Sequence, residues 1–194
     1  NGEGAMIKHQ KNSERTQRNN TVGSYKKAIN AINKGHNKEI TTILDYAAGH
    51  GLGTETMLEL NFEAKSYEPM AINWSAFMPV DYTTSDQVPN GFDAVICLNT
   101  LNVLERSLRD EVLEHIYSVL ASGGVAVLGV RSIADVMTAK NMEAGTEVGS
   151  AWINNVYQKG FTPKEMKEWV LSVLPDATVN KCNVCKVGVM VTKP

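Results

Sequence analysis

Residues 43–54 read ILDYAAGHGLGT: an apolar run, one acid at Asp45, then glycines at 49, 51 and 53. ITTILDY at 40–46 is β-branched and reads as a buried strand, and TETMLEL at 54–60 reads as the helix that follows it. A strand that turns through glycines into a helix brings bare backbone close to a ligand at the strand's C-terminal edge, where open α/β sheets bind nucleotides. Dinucleotide loops of this kind seat an anionic pyrophosphate on the helix N-terminus. Asp45, at the start of the loop, repels an anion there and favours an amine or sulfonium.

Working outward, SYKKAINAINK at 24–34 places Tyr25, Ala28, Ile29 and Ile32 at helical spacing, with Gly35 as a stop. FEAKSYE at 62–68 alternates like a second strand, AINWSAF reads as helical up to Pro79, and a short strand fits near Val80. FDAVICL at 92–98 is a buried strand introduced by the turn signal PNG. SLRDEVLEHIYSVL at 107–120 is an amphipathic helix, with Ser107 and Asp110 as a variant capping box. Gly123 and Gly124 are expected to end that helix before the strand VAVLGV at 125–130. Residues 132–151 are polar and glycine-containing. TPKEMKEWVLSVLP at 162–175 is a helix capped by Thr162, with Pro163 at its first position and Glu165 completing the box. ATVNKCN and CKVGVMV then form two closing strands, expected as an antiparallel hairpin at one sheet edge. Strands alternating with helices at this spacing indicate parallel βαβ units.

In order and spacing, residues 24–194 resemble the class I S-adenosylmethionine-dependent methyltransferases. Their first motif is an acid at the end of the first strand followed by G-x-G-x-G. Here it stands as Asp45-Tyr46-Ala47-Ala48-Gly49-His50-Gly51, with Ala47 in the first glycine position. Glu68, in SYEP with Pro69, follows 23 residues later, and a carboxylate there can accept hydrogen bonds from both ribose hydroxyls of an adenosine. Asp81 and Tyr82 look like the family's loop after strand three, which borders the adenine. FDAVICLNTLNVL looks like its fourth motif, with Leu98 beside the cofactor, and LASGGVAVLGV like its L-x-x-G-G turn. The resemblance implies a Rossmann-like three-layer α/β/α sandwich with a mostly parallel seven-stranded sheet. It implies S-adenosylmethionine as cofactor, S-adenosylhomocysteine as product, and cofactor contacts at Asp45, Ala47, Gly49, Gly51, Glu68, Pro69, Asp81, Tyr82 and Leu98.

Methyl transfer from a sulfonium is an in-line displacement, so the protein mainly aligns a nucleophile and, where needed, removes its proton. The segment Cys97–Asn102 leaves the strand that points at the donor methyl in this fold. It lacks the N-P-P-Y/F tetrad of DNA amino-methyltransferases, and no Pro-Cys nucleophile of the cytosine-C5 kind is present. The catalytic candidates are Asn99, Arg131 and Tyr157. Asn99 either orients a substrate or caps the following helix. Arg131 either binds an acidic group or pairs with Asp135 one turn on. Tyr157, with Trp152 and Phe161, either stacks on a substrate or belongs to the core. His50 in the glycine loop is either a base or a solvent-facing side chain. Tyr25 and the basic residues near it either close over the cofactor or pack on the sheet. Cys182-x-x-Cys185 has no second pair and reads as two ordinary thiols, so no metal is implied.

Length and composition bound the rest. The chain has 194 residues, 43% hydrophobic and 21% charged, enough for one domain with a full core. No apolar run approaches the roughly 18 residues of a membrane span, and three cysteines suit a reducing, cytoplasmic setting. Residues 1–38 hold eight Lys/Arg against two acids, and the remainder eleven against nineteen. Residues 1–20 are therefore expected as a polar, basic and partly flexible arm, with 21–194 as a single cofactor-binding domain. NGEGA ahead of Met6 reads as an added leader. The basic arm tilts the acceptor towards a nucleic acid or nucleotide over a small acidic metabolite. Two rival functions stay open: a scaffold that binds the cofactor without catalysis, and an NAD(P)-dependent oxidoreductase.

Overall fold

Strands β1 (Thr42–Tyr46), β2 (Glu63–Tyr67), β3 (Phe92–Leu98) and β4 (Leu120–Val130) pair in parallel, in the order β2-β1-β3-β4. The sheet is completed by β9 (Val187–Thr192), antiparallel to β4, and by β8 (Thr178–Lys181), antiparallel to β9 at the edge. This computed structural model describes residues 6–8, 10–13, 20–73 and 79–194.

Alternation along the strands builds two cores. Leu44, Val95, Cys97, Ala126 and Leu128 face one side, packed against α3 (Arg106–Val119) and α5 (Pro163–Val173). Ile43, Ala94, Ile96, Val125 and Val127 face the other, against α1 (Val22–Gly35) and α2 (Leu52–Glu59). A sheet buried on both faces explains the near-continuous apolar runs of β3 and β4. The result is the expected three-layer α/β/α sandwich. Helix α1 presents Tyr25, Ala28, Ile29 and Ile32 inward, with Thr21 Oγ1 capping Ser24 N at 3.1 Å. Helix α5 begins at Pro163, capped by Thr162, but Glu165 turns its carboxylate to Lys159 rather than closing a box.

Among the described residues the principal sheet has six strands, not the expected seven. Beyond β2 the described chain touches the sheet through one isolated bridge, Tyr67 to Tyr82. Asp81 stops the ladder: its carboxylate accepts from Ser66 N at 2.9 Å, filling the place a seventh strand's carbonyl would take. Ser66 Oγ in turn accepts from Asp81 N at 3.1 Å. Of AINWSAF, Ala71–Asn73 belong to a 3-10 turn, and 74–78 lie outside the described residues.

Helix α3 starts one residue early, with Glu105 at the cap position and no side-chain cap, so Ser107 lies inside the first turn. It ends at Val119 because Leu120 is already extended. Gly123 and Gly124 therefore lie within β4, where the register against β3 shifts between Phe92 and Ala94. A Cβ on Gly124 would sit 2.8 Å from the Ala121 carbonyl oxygen, and only glycine fits that approach.

The polar stretch after β4 folds into more than a loop. Ser132 caps the short α4 (Ile133–Met137). β5 (Met142–Ala144), β6 (Ser150–Ile153) and β7 (Val156–Lys159) then form a separate three-stranded antiparallel sheet. Among the described residues, no helix is long and apolar enough to cross a membrane.

Candidate active site

The C-terminal ends of β1 to β4 open on a cavity of about 670 Å³, a volume typical of small-molecule sites. The turn after β1 is built on left-handed backbone: Ala47 has φ 57°, Gly49 60° and Gly51 97°. Ala47 is the residue there with a Cβ to strain, which is the physical reason a glycine suits its position.

Glu68, at the end of β2, is 5% exposed. Its Oε1 accepts from Gly49 N and its Oε2 from Met70 N, both at 3.0 Å. Burial pushes its pKa up against the lowering pull of those two N–H groups. Each oxygen keeps acceptor capacity beyond its one backbone partner, and Glu68 lines the cavity. The residues present thus fit a vicinal diol brought against the glycine turn.

Asp45 is fully buried behind the wall. Its Oδ1 accepts from Tyr25 Oη at 3.0 Å and its Oδ2 from Thr54 Oγ1 at 2.8 Å. Burial raises its pKa to about 7, and the two hydroxyl donors hold it from going further. Tyr25 reaches it across Gly53, where an added Cβ would lie 2.0 Å from the tyrosine ring. Helix α1 therefore packs on the sheet and also supplies a ligand to the buried acid.

The next residue, Tyr46, faces the opposite layer and forms part of the cavity floor. Its hydroxyl lies 2.6 Å from His115 Nδ1, and His115 Nε2 lies 3.1 Å from the Ser85 carbonyl oxygen. A carbonyl can only accept, so Nε2 carries the proton and Nδ1 accepts from Tyr46. Burial lowers the His115 pKa, which suits this neutral form.

Of the residues expected from the sequence, Ala47, Glu68, Pro69, Leu98, Asn99 and Arg131 reach the cavity wall. Among the described residues, Asp45, Gly49, Gly51, Asp81, Tyr82 and Tyr157 lie behind or beside it. Asp81 is engaged by Ser66, and Tyr82 pairs through its backbone with Ser66 and Glu68. Asn99, at φ 55°, donates to Asn20 Oδ1 at 2.9 Å rather than capping a helix. Arg131 donates to Asp135 Oδ2 at 2.6 Å, so its charge is matched locally. Tyr157 is 1% exposed and gives its hydroxyl to Glu147.

The sequence reading missed several wall residues. Gln10 bridges Val103 O and Glu105 N at 2.8 and 2.6 Å, and Asn20 donates to Leu98 O at 3.0 Å, so described parts of the arm lie over the sheet's C-terminal edge. Tyr46 and Gln158 were also missed, and Asn102 was named only as the end of the segment leaving β3; Tyr46 stood in the quoted motif, but only the pleat shows which face it takes. The three-stranded sheet over the cavity is anchored by Arg109. This residue is 2% exposed, lies 5.3 Å from the ring centroids of both Phe161 and Trp169, and pairs with Glu147. Phe161 and Tyr157 thus belong to the core, whereas Trp152 is half-buried against the Tyr157 ring.

No protein-family model matches the chain, and no curated protein does. Solved structures do. The 1,6-didemethyltoxoflavin-N1-methyltransferase of Burkholderia thailandensis, crystallised with 1,6-didemethyltoxoflavin and S-adenosylhomocysteine, is 16% identical, with 93% of this chain and 77% of that one aligned at a TM-score of 0.60. The chain has the class I methyltransferase fold. An amino pentose methyltransferase of Micromonospora echinaspora with bound S-adenosylmethionine shares this class I fold at 14% identity, 96% and 100% coverage and a TM-score of 0.58. The N-methyltransferase NodS of Bradyrhizobium japonicum, solved with S-adenosyl-L-homocysteine, does so at 16% identity, 95% and 93% coverage and a TM-score of 0.54.

Proposed function

We propose that the protein is an S-adenosylmethionine-dependent methyltransferase acting on a small molecule. The observation that carries this reading is Glu68, buried at the end of β2 with one oxygen on Gly49 N of the glycine turn, the other on Met70 N, and acceptor capacity left on each. Glu68 would hold the ribose hydroxyls, Ala47 and the turn would pass along the methionine chain, and Pro69, Met70 and Leu98 would flank the base. Asp45 would set the electrostatic character of the methionine end from behind the wall. When bound, the cofactor supplies an electrophilic methyl group and a neutral thioether leaving group.

The chain's own contribution is alignment and exclusion of water, which suffice for in-line displacement. Residues of the arm and the three-stranded sheet, including Gln10, Asn20 and Gln158, line a cavity of about 670 Å³. This favours a small acceptor. The tilt towards a nucleic acid rested on the basic arm, whose residues 14–19, with Arg15 and Arg18, lie outside the described residues. A nucleotide remains among the acceptors to be tried.

Calorimetric titration of the full chain with S-adenosylhomocysteine tests the cofactor assignment, with NAD and NADP as controls. Glu68→Ala should weaken S-adenosylhomocysteine binding by about 1–3 kcal/mol, the range for leaving buried hydroxyls unpaired. An unchanged affinity, or binding of NAD(P) alone, would sink the assignment. Binding without methyl transfer to any nucleotide or metabolite pool would point to a non-catalytic scaffold.

A further inference from the structure

Where the 3-10 turn Leu101–Val103 meets β7, the cavity closes against two amides. Asn102 is 1% exposed, and its Nδ2 donates to Gln158 Oε1 at 3.2 Å. With the two amides turned this way, Asn102 Oδ1 is a buried oxygen with no hydrogen-bond partner among the described residues. Both side chains line the cavity. Buried polar atoms in folded proteins are nearly always satisfied, so an orphaned acceptor on a cavity wall marks a place where a ligand's donor belongs.

The surroundings narrow the ligand. Val103, Leu104, Ile153 and Val156 supply apolar walls beside the amides, which suit the faces of a ring. Two cations line the cavity, Lys8 and Arg131, and Arg131 is already paired with Asp135. A carboxylate or phosphate drawn into this end would meet an amide oxygen, which cannot donate to it. The turn carrying Asn102 leaves β3, the strand whose exit lines the cavity at Leu98 and Asn99.

We infer that Asn102 Oδ1 receives a hydrogen bond from the methyl acceptor, a small uncharged ring compound bearing an N–H or O–H donor. The inference rests on the methyltransferase reading for the word acceptor; the contact itself does not need it. Gln158 is a positioning residue, holding the Asn102 amide so that its oxygen faces the ligand.

Three probes of one ring size test this on the full chain: phenol (an uncharged donor), anisole (the same ring without the donor) and phenyl phosphate (an anion). Ligand-observed NMR titrations are run with and without saturating S-adenosylhomocysteine. Phenol is expected to bind about 2- to 10-fold tighter than anisole, the range for one neutral hydrogen bond, and phenyl phosphate no tighter than anisole. In Asn102→Leu, phenol and anisole should become equal; the wild-type ratio carries the test should that variant not fold. Equal phenol and anisole affinities in the wild type, tighter binding of phenyl phosphate, or no binding of any probe overturns the inference. Failure of S-adenosylhomocysteine to bind while the Asn102-dependent preference persists would remove the cofactor assignment and leave the contact standing. The converse pattern would do the reverse.

Discussion

Replacing Asp45 by Asn should flatten the pH dependence of folding stability. Asp45 is wholly buried, and burial raises its carboxyl to about pKa 7 in the folded chain, against about 3.9 when unfolded. A group raised in this way binds its proton more tightly in the folded state. The folded chain is therefore favoured while Asp45 stays protonated and loses stability as pH rises from about 4 to about 7. At about 1.4 kcal/mol per pKa unit, the shift of about 3 units amounts to about 4 kcal/mol in total, or about 3 kcal/mol between pH 4.5 and 6.5. In Asp45→Asn the amide oxygen can still accept from Tyr25 or Thr54, and the remaining hydroxyl can rotate to accept from the amide NH2. Urea unfolding of both proteins across pH 4.5–7.5 gives two stability curves. Their difference isolates Asp45, because His36 and His115 titrate in both. The two curves should diverge by about 3 kcal/mol over the lower two pH units, the wild type falling relative to the variant. Parallel curves would refute the reasoning, showing that the donors of Tyr25 and Thr54 offset burial and keep the carboxylate ionised.

Other outcomes follow from single residues. Ala47→Gly should stabilise the chain by about 0.5–1 kcal/mol in the same assay. A left-handed L-residue costs about 1–2 kcal/mol, and glycine's extra chain entropy takes back part of that gain. Arg109→Met should cost about 3–5 kcal/mol by leaving the Glu147 carboxylate without its buried cation. Amide exchange should rise most across residues 142–159, because that sheet is held through Glu147 and Tyr157.

Much of the scaffold was legible because parallel strands buried on both faces write themselves as apolar runs. FDAVICL coincides with β3 residue for residue. The turn after β1 was legible for a similar reason, since positive φ at three positions demands small residues. What escaped were features set by competition between side chain and backbone. Asp81 substitutes a carboxylate for a strand's carbonyl, and nothing in its neighbours marks that choice. The glycine pair at 123–124 carries the usual mark of a helix stop, yet serves a close approach to Ala121 inside β4. In the site, Glu68 was visible by its spacing from Asp45. Asn102 was visible only as the end of the segment leaving β3, and its pairing with Gln158 was not, because two amides 56 residues apart acquire meaning only when β7 folds back over the turn. The partner of Tyr157 was hidden for a related reason: Glu147, ten residues away, takes its hydroxyl.

The bond from Ser66 N to Asp81 bears on how molecules of this protein meet each other. β2 is the outer strand of the sheet, and an outer strand with unpaired N–H groups is a template on which a second chain can add itself. Asp81 occupies one such group with a charged side chain, and Lys65 lies 3.9 Å from the same carboxylate. An approaching strand would have to displace an ion pair and desolvate a carboxylate to gain one backbone hydrogen bond. The residue that ends the ladder also guards the sheet against edge-to-edge aggregation.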